Sequence, residues 1–383
     1  MTDEVTPGKE QEPAGRVLDA GAPEEGAYSV ASQWQLIWWK FRKHKMANAA
    51  GIIVVILYFG ALFADFLSPM LPDTRLTDYK EMPPQRIRIF DGKSLRWPFL
   101  YEVQRTTDTK TFRRVYTVDP SKTYPVHLFA KGEPYKLFGI LRVRTHLFGT
   151  DGGPLALLGT DMLGRDLFSR ILYGSRLSLS IGLVGVFFTL VLGLLLGGLS
   201  GYLGGATDTI IQRAIDVIVS IPTIPLWMGL AAAVPRTWPP VKIYLCIVVI
   251  TSFINWAGLA RVVRGKLLSV REEDFTMAAR LAGIGNMTII RRHLLPSMIS
   301  YIIVSLTLSI PGTILGETAL SFLGLGLQPP VVSWGVLLHD AQNLATIAFH
   351  PWLLLPAVWI VVTVLMFNFL GDGLRDAADP YTV

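Results

Sequence analysis

Cysteine is nearly absent: Cys246 is the single one in 383 residues. An intrachain disulfide is therefore excluded, and every part of the chain must fold on packing and hydrogen bonding alone. Charge is scarce as well, with Asp, Glu, Lys and Arg at 17% of residues against 51% apolar ones, and the mean hydropathy is +0.43. That balance excludes an ordinary soluble domain. No Gly-x-x-x-x-Gly-Lys-Ser/Thr loop occurs, so the backbone cradle for nucleotide phosphates is missing and this chain is not expected to hydrolyse ATP. The six histidines, at 44, 127, 146, 293, 339 and 350, show no metal-ligand spacing. Asp65, Asn255 and Asn368 do not supply the nucleophile–base set that an intramembrane enzyme needs.

What is abundant is apolar sequence gathered into blocks. A bilayer core takes a helix of about 20 apolar residues, and six stretches reach that length: Ala47–Leu67, Leu177–Tyr202, Thr209–Val234, Ile243–Val263, Met298–Leu320 and His350–Leu370. The third carries Arg213 and Asp216 near its start and Pro222 and Pro225 within it, and Pro is tolerated in a span where neighbouring helices re-satisfy the backbone. The expected fold class is an all-α polytopic membrane protein. Lys40, Arg42, Lys43 and Lys45 precede the first span, seven basic residues from Arg261 to Arg292 separate the fourth and fifth, and neither Lys nor Arg occurs between Arg292 and Arg375. With six spans, this bias of short loops places both termini and the fourth-to-fifth connection in the cytoplasm.

Two regions do not read as spans. Residues 1–30 are rich in Pro, Gly and Glu and are expected to form a disordered cytoplasmic tail, followed over 31–68 by an amphipathic segment and the first span. Residues 69–148 contain "RIRIF", "RRVYTVD" and "YPVHLFA", in which β-branched and aromatic residues alternate with polar ones. This predicts a small β-rich extracytoplasmic insertion, since long loops are translocated largely regardless of charge.

The stretch "EEDFTMAARLAGIGNMTIIRRHLLPS" (Glu272–Ser297) predicts a helix-turn-helix. Three carboxylates open the first helix, where the dipole favours them. Phe275, Ala278, Ala279 and Ala282 share one mostly small face. Gly283 suits a left-handed C-cap, and Asn286 can cap the second helix. A compact knob of this kind fits a partner's groove; an amphipathic pair resting on lipid headgroups is the alternative. Other marked residues are Gly193, Gly197, Gly201 and Gly205, spaced by four to form a close-packing groove, and Arg213 with Asp216, spaced to pair on one helical face. "GTDMLGRDLFSRILYGSR" predicts an amphipathic interfacial helix with its charges on one side. Glu317, beside Gly324 and Gly326, is an intramembrane carboxylate that either lines a pathway or is structurally paired.

Ala278-Ala279, Gly283 and the following Leu295-Pro296 resemble the coupling loop of ABC importer permeases, with Met277 where glutamate is common and His293 where isoleucine is common. "GTDMLGRDLFSRILYGSRLSLSIGL", "DVIVSIPTIPL", "GETALSFLGLGLQPPVVSWG" and "LGDGLRDAADP" are similar to stretches of the oligopeptide/dipeptide type, in its second (C-type) permease, and span most of 159–380. The resemblance implies ATP-driven import by alternating access, without a cofactor in this chain, ATP and Mg being bound by partners. Those partners would be an unlike second permease, two ATPases and an extracytoplasmic solute-binding protein, with no nucleic acid. Peptides are the implied cargo, with nickel chelates or oligosaccharides as alternatives. A proton-coupled carrier is the rival of another class, for which no internal repeat is seen.

Overall fold

The computed structural model describes residues 33–90, 94–110, 112, 114–294 and 298–378. The tail expected over 1–30 lies outside them, as do Leu295 and Pro296. The chain is mostly helical. After α1 (Gln33–Lys43), α2 (Lys45–Leu62) and the short α3 (Ala64–Leu67), strands occupy 88–150. The chain then runs through α4 (Leu167–Leu203), α5 (Gly205–Ser220), α6 (Thr223–Ala232) and α7 (Pro240–Val270). A hairpin of α8 (Asp274–Leu281) and α9 (Asn286–Ile289) leads to α10 (Ile299–Phe322), α11 (Trp334–Asp340), α12 (Leu344–Phe349) and α13 (Leu355–Ala378).

Five helical segments are long and apolar enough to cross a bilayer, and α5 with α6 would make a sixth if counted as one span. That pair is bent by 89°. The bend has a local cause: Pro222 follows Ile221 and pushes it out of the helical region, to φ −88° and ψ 130°. Helix α4 begins ten residues before the apolar block predicts. Its 37 residues extend about 55 Å at 1.5 Å per residue, well beyond a hydrocarbon core of about 30 Å.

The close approach of α4 and α7 is set by glycine. A Cβ on Gly197 would lie 2.6 Å from the Ala260 carbonyl oxygen, one on Gly201 3.0 Å from Arg264 Cα, and one on Gly193 2.7 Å from the Leu259 side chain. Only a bare backbone fits there. Gly205 departs from this row: it starts α5 with φ +56°, and nothing lies within 4 Å of an added Cβ. At the same end Asp208 ties three helices together, accepting from Ser200 of α4 and from both Nε and Nη2 of Arg264 on α7. Arg213 approaches Asp216 at 3.9 Å, but Arg261 of α7 binds that carboxylate more closely, at 2.6 Å.

The insertion holds β1 (Arg88–Phe90), β2 (Leu95–Thr107), β3 (Arg114–Leu128), β4 (Lys131–Leu137), β5 (Leu141–Thr145) and β6 (Phe148–Thr150). β1-β2-β3-β6 form one antiparallel sheet and β4-β5 a separate hairpin. It emerges at the end of the bundle where α2 finishes and α4 starts. The α8–α9 hairpin and the ends of α1 and α13 lie at the opposite end, where Phe41, Ala47 and Ala377 form a small apolar cluster.

Replacing Gly197 with Leu should separate α4 from α7. Overpacking of this kind typically costs about 1–3 kcal/mol, and thermal unfolding of the detergent-solubilised protein should show a lower midpoint. Gly265→Ala, on α7 with open space around the new methyl, should leave the midpoint nearly unchanged.

Candidate functional site

Two sets of chemically marked residues occupy opposite ends of α4. At its start, "GTDMLGRDL" does not form the predicted amphipathic helix. Asp161 accepts hydrogen bonds from the backbone N–H groups of Leu163 and Arg165, each at 2.9 Å, closing a loop. Asp166 caps α4 through Ser169 N–H at 2.8 Å and Ser169 Oγ at 2.6 Å. Side chains that satisfy backbone donors in this way compete with helix, so α4 starts at Leu167.

The charges expected on a solvated side are instead buried. Asp161 Oδ2 accepts from Arg165 Nε at 2.6 Å and from Arg170 Nη1, and both guanidiniums also approach Asp340 at 3.4–3.5 Å. Arg170 is only 1% exposed. Burial also pushes the carboxyl of Asp166 up to about 6, against the opposing pull of its Ser169 hydrogen bonds.

Next to this network, Glu317 is fully buried; its Oε1 accepts from Ser321 at 2.7 Å and from Ser333 at 2.8 Å. Trp334 locks the same region onto α4, donating its backbone N–H to Ser178 Oγ and its indole N–H to the Ile171 carbonyl, both at 3.1 Å. Gly324 and Gly326 lie in the loop after α10. Gly324 has φ +73°, and its carbonyl accepts from Arg236 at 3.2 Å and Gln328 at 2.6 Å. Gly326 helps line a cavity of about 240 Å³ with Arg236, Trp238, Ile243 and Gln328. Glu317 does not line that cavity.

At the far end of α4 sits the α8–α9 hairpin. Gly283 adopts φ +73°. Its N–H bonds the Arg280 carbonyl at 2.9 Å, and the Ile284 N–H bonds that of Ala279 at 3.2 Å. These two bonds make a Schellman cap. Asn286 does not cap α9, whose N-cap is Gly285 without a side-chain bond; its Oδ1 accepts from Tyr202 Oη of α4 at 3.1 Å. Arg280 also donates to Tyr202 Oη and lies over its ring at 5.0 Å.

The small face splits in two. Ala279 is buried in a cluster with Tyr202, Val263, Leu267 and Ile289, whereas Ala278 and Gly283 are exposed. Phe275, Met277 and Met287 are exposed beside them, and Leu281 is 87% exposed. The inward-facing half holds the knob to α4 and α7, and the outward half is an apolar surface with a glycine at its turn. Spacing alone could not separate these two adjacent alanines, because only Ala279 meets the cluster around Tyr202, a residue on another helix.

Residues 164–382 match the family described as binding-protein-dependent transport system inner membrane component, and residues 32–84 match the N-terminal TM domain of oligopeptide transport permease C. The chain belongs to the binding-protein-dependent transport family. It is similar to the oligopeptide transport system permease protein OppC of Haemophilus influenzae, at 41% identity over 58% of this chain and 69% of that one. The dipeptide transport system permease protein DppC of Bacillus subtilis is 40% identical over 58% and 68%. The glutathione transport system permease protein GsiD of Pectobacterium atrosepticum is 42% identical over 58% and 72%. A chain of the MetNI methionine ABC transporter, solved in inward-facing conformations, superposes with a TM-score of 0.44 at 21% identity, over 55% of this chain and 97% of that one. This member is accordingly a multi-pass inner-membrane transport component that works with ATPases and a binding protein; ATP is hydrolysed by the partner subunits.

Asp161→Asn should leave Arg170 buried beside a neutral amide. Removing one partner of a buried ion pair costs about 3–5 kcal/mol. The folded yield and unfolding midpoint of the solubilised protein should fall sharply, more than for Asp216→Asn at the exposed pair.

Proposed function

We propose that the chain is the C-type permease of a peptide importer and that the α8–α9 hairpin is where an ATPase docks. One observation carries this: Tyr202, Arg280 and Asn286 fix the hairpin to α4 while its outer surface, Phe275, Met277, Leu281 and Met287, is left exposed among the described residues. A rigid knob can convert a partner's movement into tilting of α4 and α7. The peptide cargo rests on the relatives' names. The assembly would contain an unlike second permease, two ATPases and an extracytoplasmic binding protein, and would work by alternating access driven by ATP. Both termini and the knob would face the cytoplasm and the β-rich insertion the outside. In support, the ends of α1 and α13 lie with the knob, opposite the insertion.

The docking surface is tested with Leu281→Asp and Gly283→Val. The first puts a charge on the exposed apolar patch; the second forces a β-branched residue to a positive φ. Each should weaken ATPase retention at least about tenfold, or roughly 1.4 kcal/mol, while membrane insertion and pairing with the second permease survive. Ala279→Asp should act differently and lower the folded yield, because it buries a charge in the Tyr202 cluster. Full ATPase retention and substrate-stimulated turnover in both surface variants would overturn the docking assignment.

Orientation is tested separately. Single cysteines at Ser94 and Ser121 in a Cys246→Ser background should react with an impermeant thiol reagent in intact cells. Labelling of both only after lysis would reverse the topology.

A further inference from the structure

The β4–β5 hairpin lies between the two family-matched stretches, 32–84 and 164–382, and transport through the bundle gives it no role. Its composition is odd for a solvated loop. The tip exposes Phe138, Leu141 and Ile140, the last 82% exposed, and Phe129 is exposed just before β4. Flanking them, Lys131, Lys136, Arg142 and Arg144 are exposed, and no ion pair joins these four to any acidic group among the described residues. Phe138 also holds φ +52°, a backbone region that bulky side chains rarely occupy. Strain that persists in a turn is more often found where an outside contact uses it.

The hairpin is not a free arm. His146, buried at its base, has Nδ1 2.6 Å from the Ser68 carbonyl oxygen and Nε2 3.1 Å from that of Glu133. Leu147 N–H bonds the Phe66 carbonyl at 2.7 Å. These bonds fasten the hairpin to α3, directly after α2. Its tip then leans on the end of that span: the Phe138 ring meets Phe63 edge-on at 5.5 Å, and Phe63 lies 4.4 Å from Phe59. Phe59 belongs to the exposed apolar face of α2 with Ile52, Val55 and Ile56. Phe59, Phe63 and Phe138 thus link the apolar side of a membrane span to the hairpin tip. Between them a crevice of about 530 Å³ is lined by Tyr58, Leu62, Leu179 and Leu183, by the ion-paired Asp65 and Arg176, and by Phe138 and Lys136 of the hairpin.

We propose that the β4–β5 hairpin is a membrane anchor: residues Phe138–Leu141 insert into the lipid leaflet at the insertion's end of the bundle, and Lys131, Lys136, Arg142 and Arg144 contact its phosphates. The continuity with the α2 face selects lipid over a soluble partner. Aromatic residues at headgroup level with basic residues reaching the phosphates are the arrangement that the interface favours. The proposal needs α2 to span the membrane but not any particular orientation of the chain. Its effect is to hold the β insertion at a fixed height and tilt beside the mouth of the bundle.

The test is spin-label accessibility in the assembled transporter, reconstituted in phospholipid nanodiscs with Cys246→Ser as background. Labels at Ile140→Cys, Val55→Cys as the bilayer reference and Ser121→Cys as the water reference are compared for collision with oxygen and with a water-soluble nickel chelate. The Ile140 label should favour oxygen and be shielded from nickel, as the Val55 label is, and adding Phe138→Asp should shift it toward the Ser121 value. A label at Ile140 as open to nickel as that at Ser121 would overturn the anchor. So would one shielded from both reagents, which would mean that a protein partner covers the tip.

Discussion

Helix α4 can act as the axis of this protein only because α7 comes against its backbone. Leu259, Ala260 and Arg264 occupy the space where side chains on Gly193, Gly197 and Gly201 would stand. In a bilayer no hydrophobic force pushes two helices together, since the lipid tails are as apolar as they are, so association rests on packing and hydrogen bonds. The glycine row supplies the packing and Asp208 with Arg264 the polar lock at one end. With α7 fixed to it, α4 presents two polar ends that can serve different tasks at a fixed separation.

Those ends are built by opposite rules. Around Asp161 the polar groups are turned inward: two guanidiniums and the Asp161 carboxylate are buried under the loop before α4 with the half-buried Asp340 at their edge, and Trp334 and Glu317 close the adjacent packing. Breaking such a cluster leaves an uncompensated charge, so it holds one arrangement of α4, α10 and α11. Around Tyr202 the polar groups serve to attach a knob whose outer side is apolar and exposed. One end resists change and the other offers a contact. A lever needs both.

The spans were largely legible because apolar block length is a one-dimensional signal. So was the hairpin turn: Gly283 stands in sequence where a left-handed cap has to be, and it takes a positive φ there. What was not legible depends on residues distant in the chain. "GTDMLGRDL" has helical periodicity, but Asp161 and Asp166 spend their carboxylates on local backbone N–H groups, and Asp340, some 170 residues on, shares the buried arginines. Asn286 satisfies the local rule for a cap, yet Tyr202 engages its side chain. Ala278 and Ala279 are equivalent in composition and opposite in role. Gly205 continues a spacing of four after the helix that gives the spacing meaning has ended at Leu203.

The same logic bears on the bent pair α5–α6. Pro222 fixes the bend, and the two halves attach to different neighbours. On α5, Ile215 packs with Trp256, Ala257 and Ala260 of α7. On α6, Trp227 and Ala231 pack with Ile247, Ile254 and Leu320, toward the cavity beside Gly326. A straight helix would carry movement at the knob end directly to the cavity end along its own axis. A helix broken by 89° cannot; its two halves share α7 as a packing partner, while α5 also packs on Leu192 and Leu196 of α4 and α6 on Leu320 of α10. α7 is also the helix that runs into the knob, from Val270 through Glu273 to α8. In the docking proposed above, the exposed apolar surface at Leu281 and the cavity lined by Arg236, Ile243 and Gln328 share α7 as the helix between them, and three missing side chains set how closely it can lie to α4.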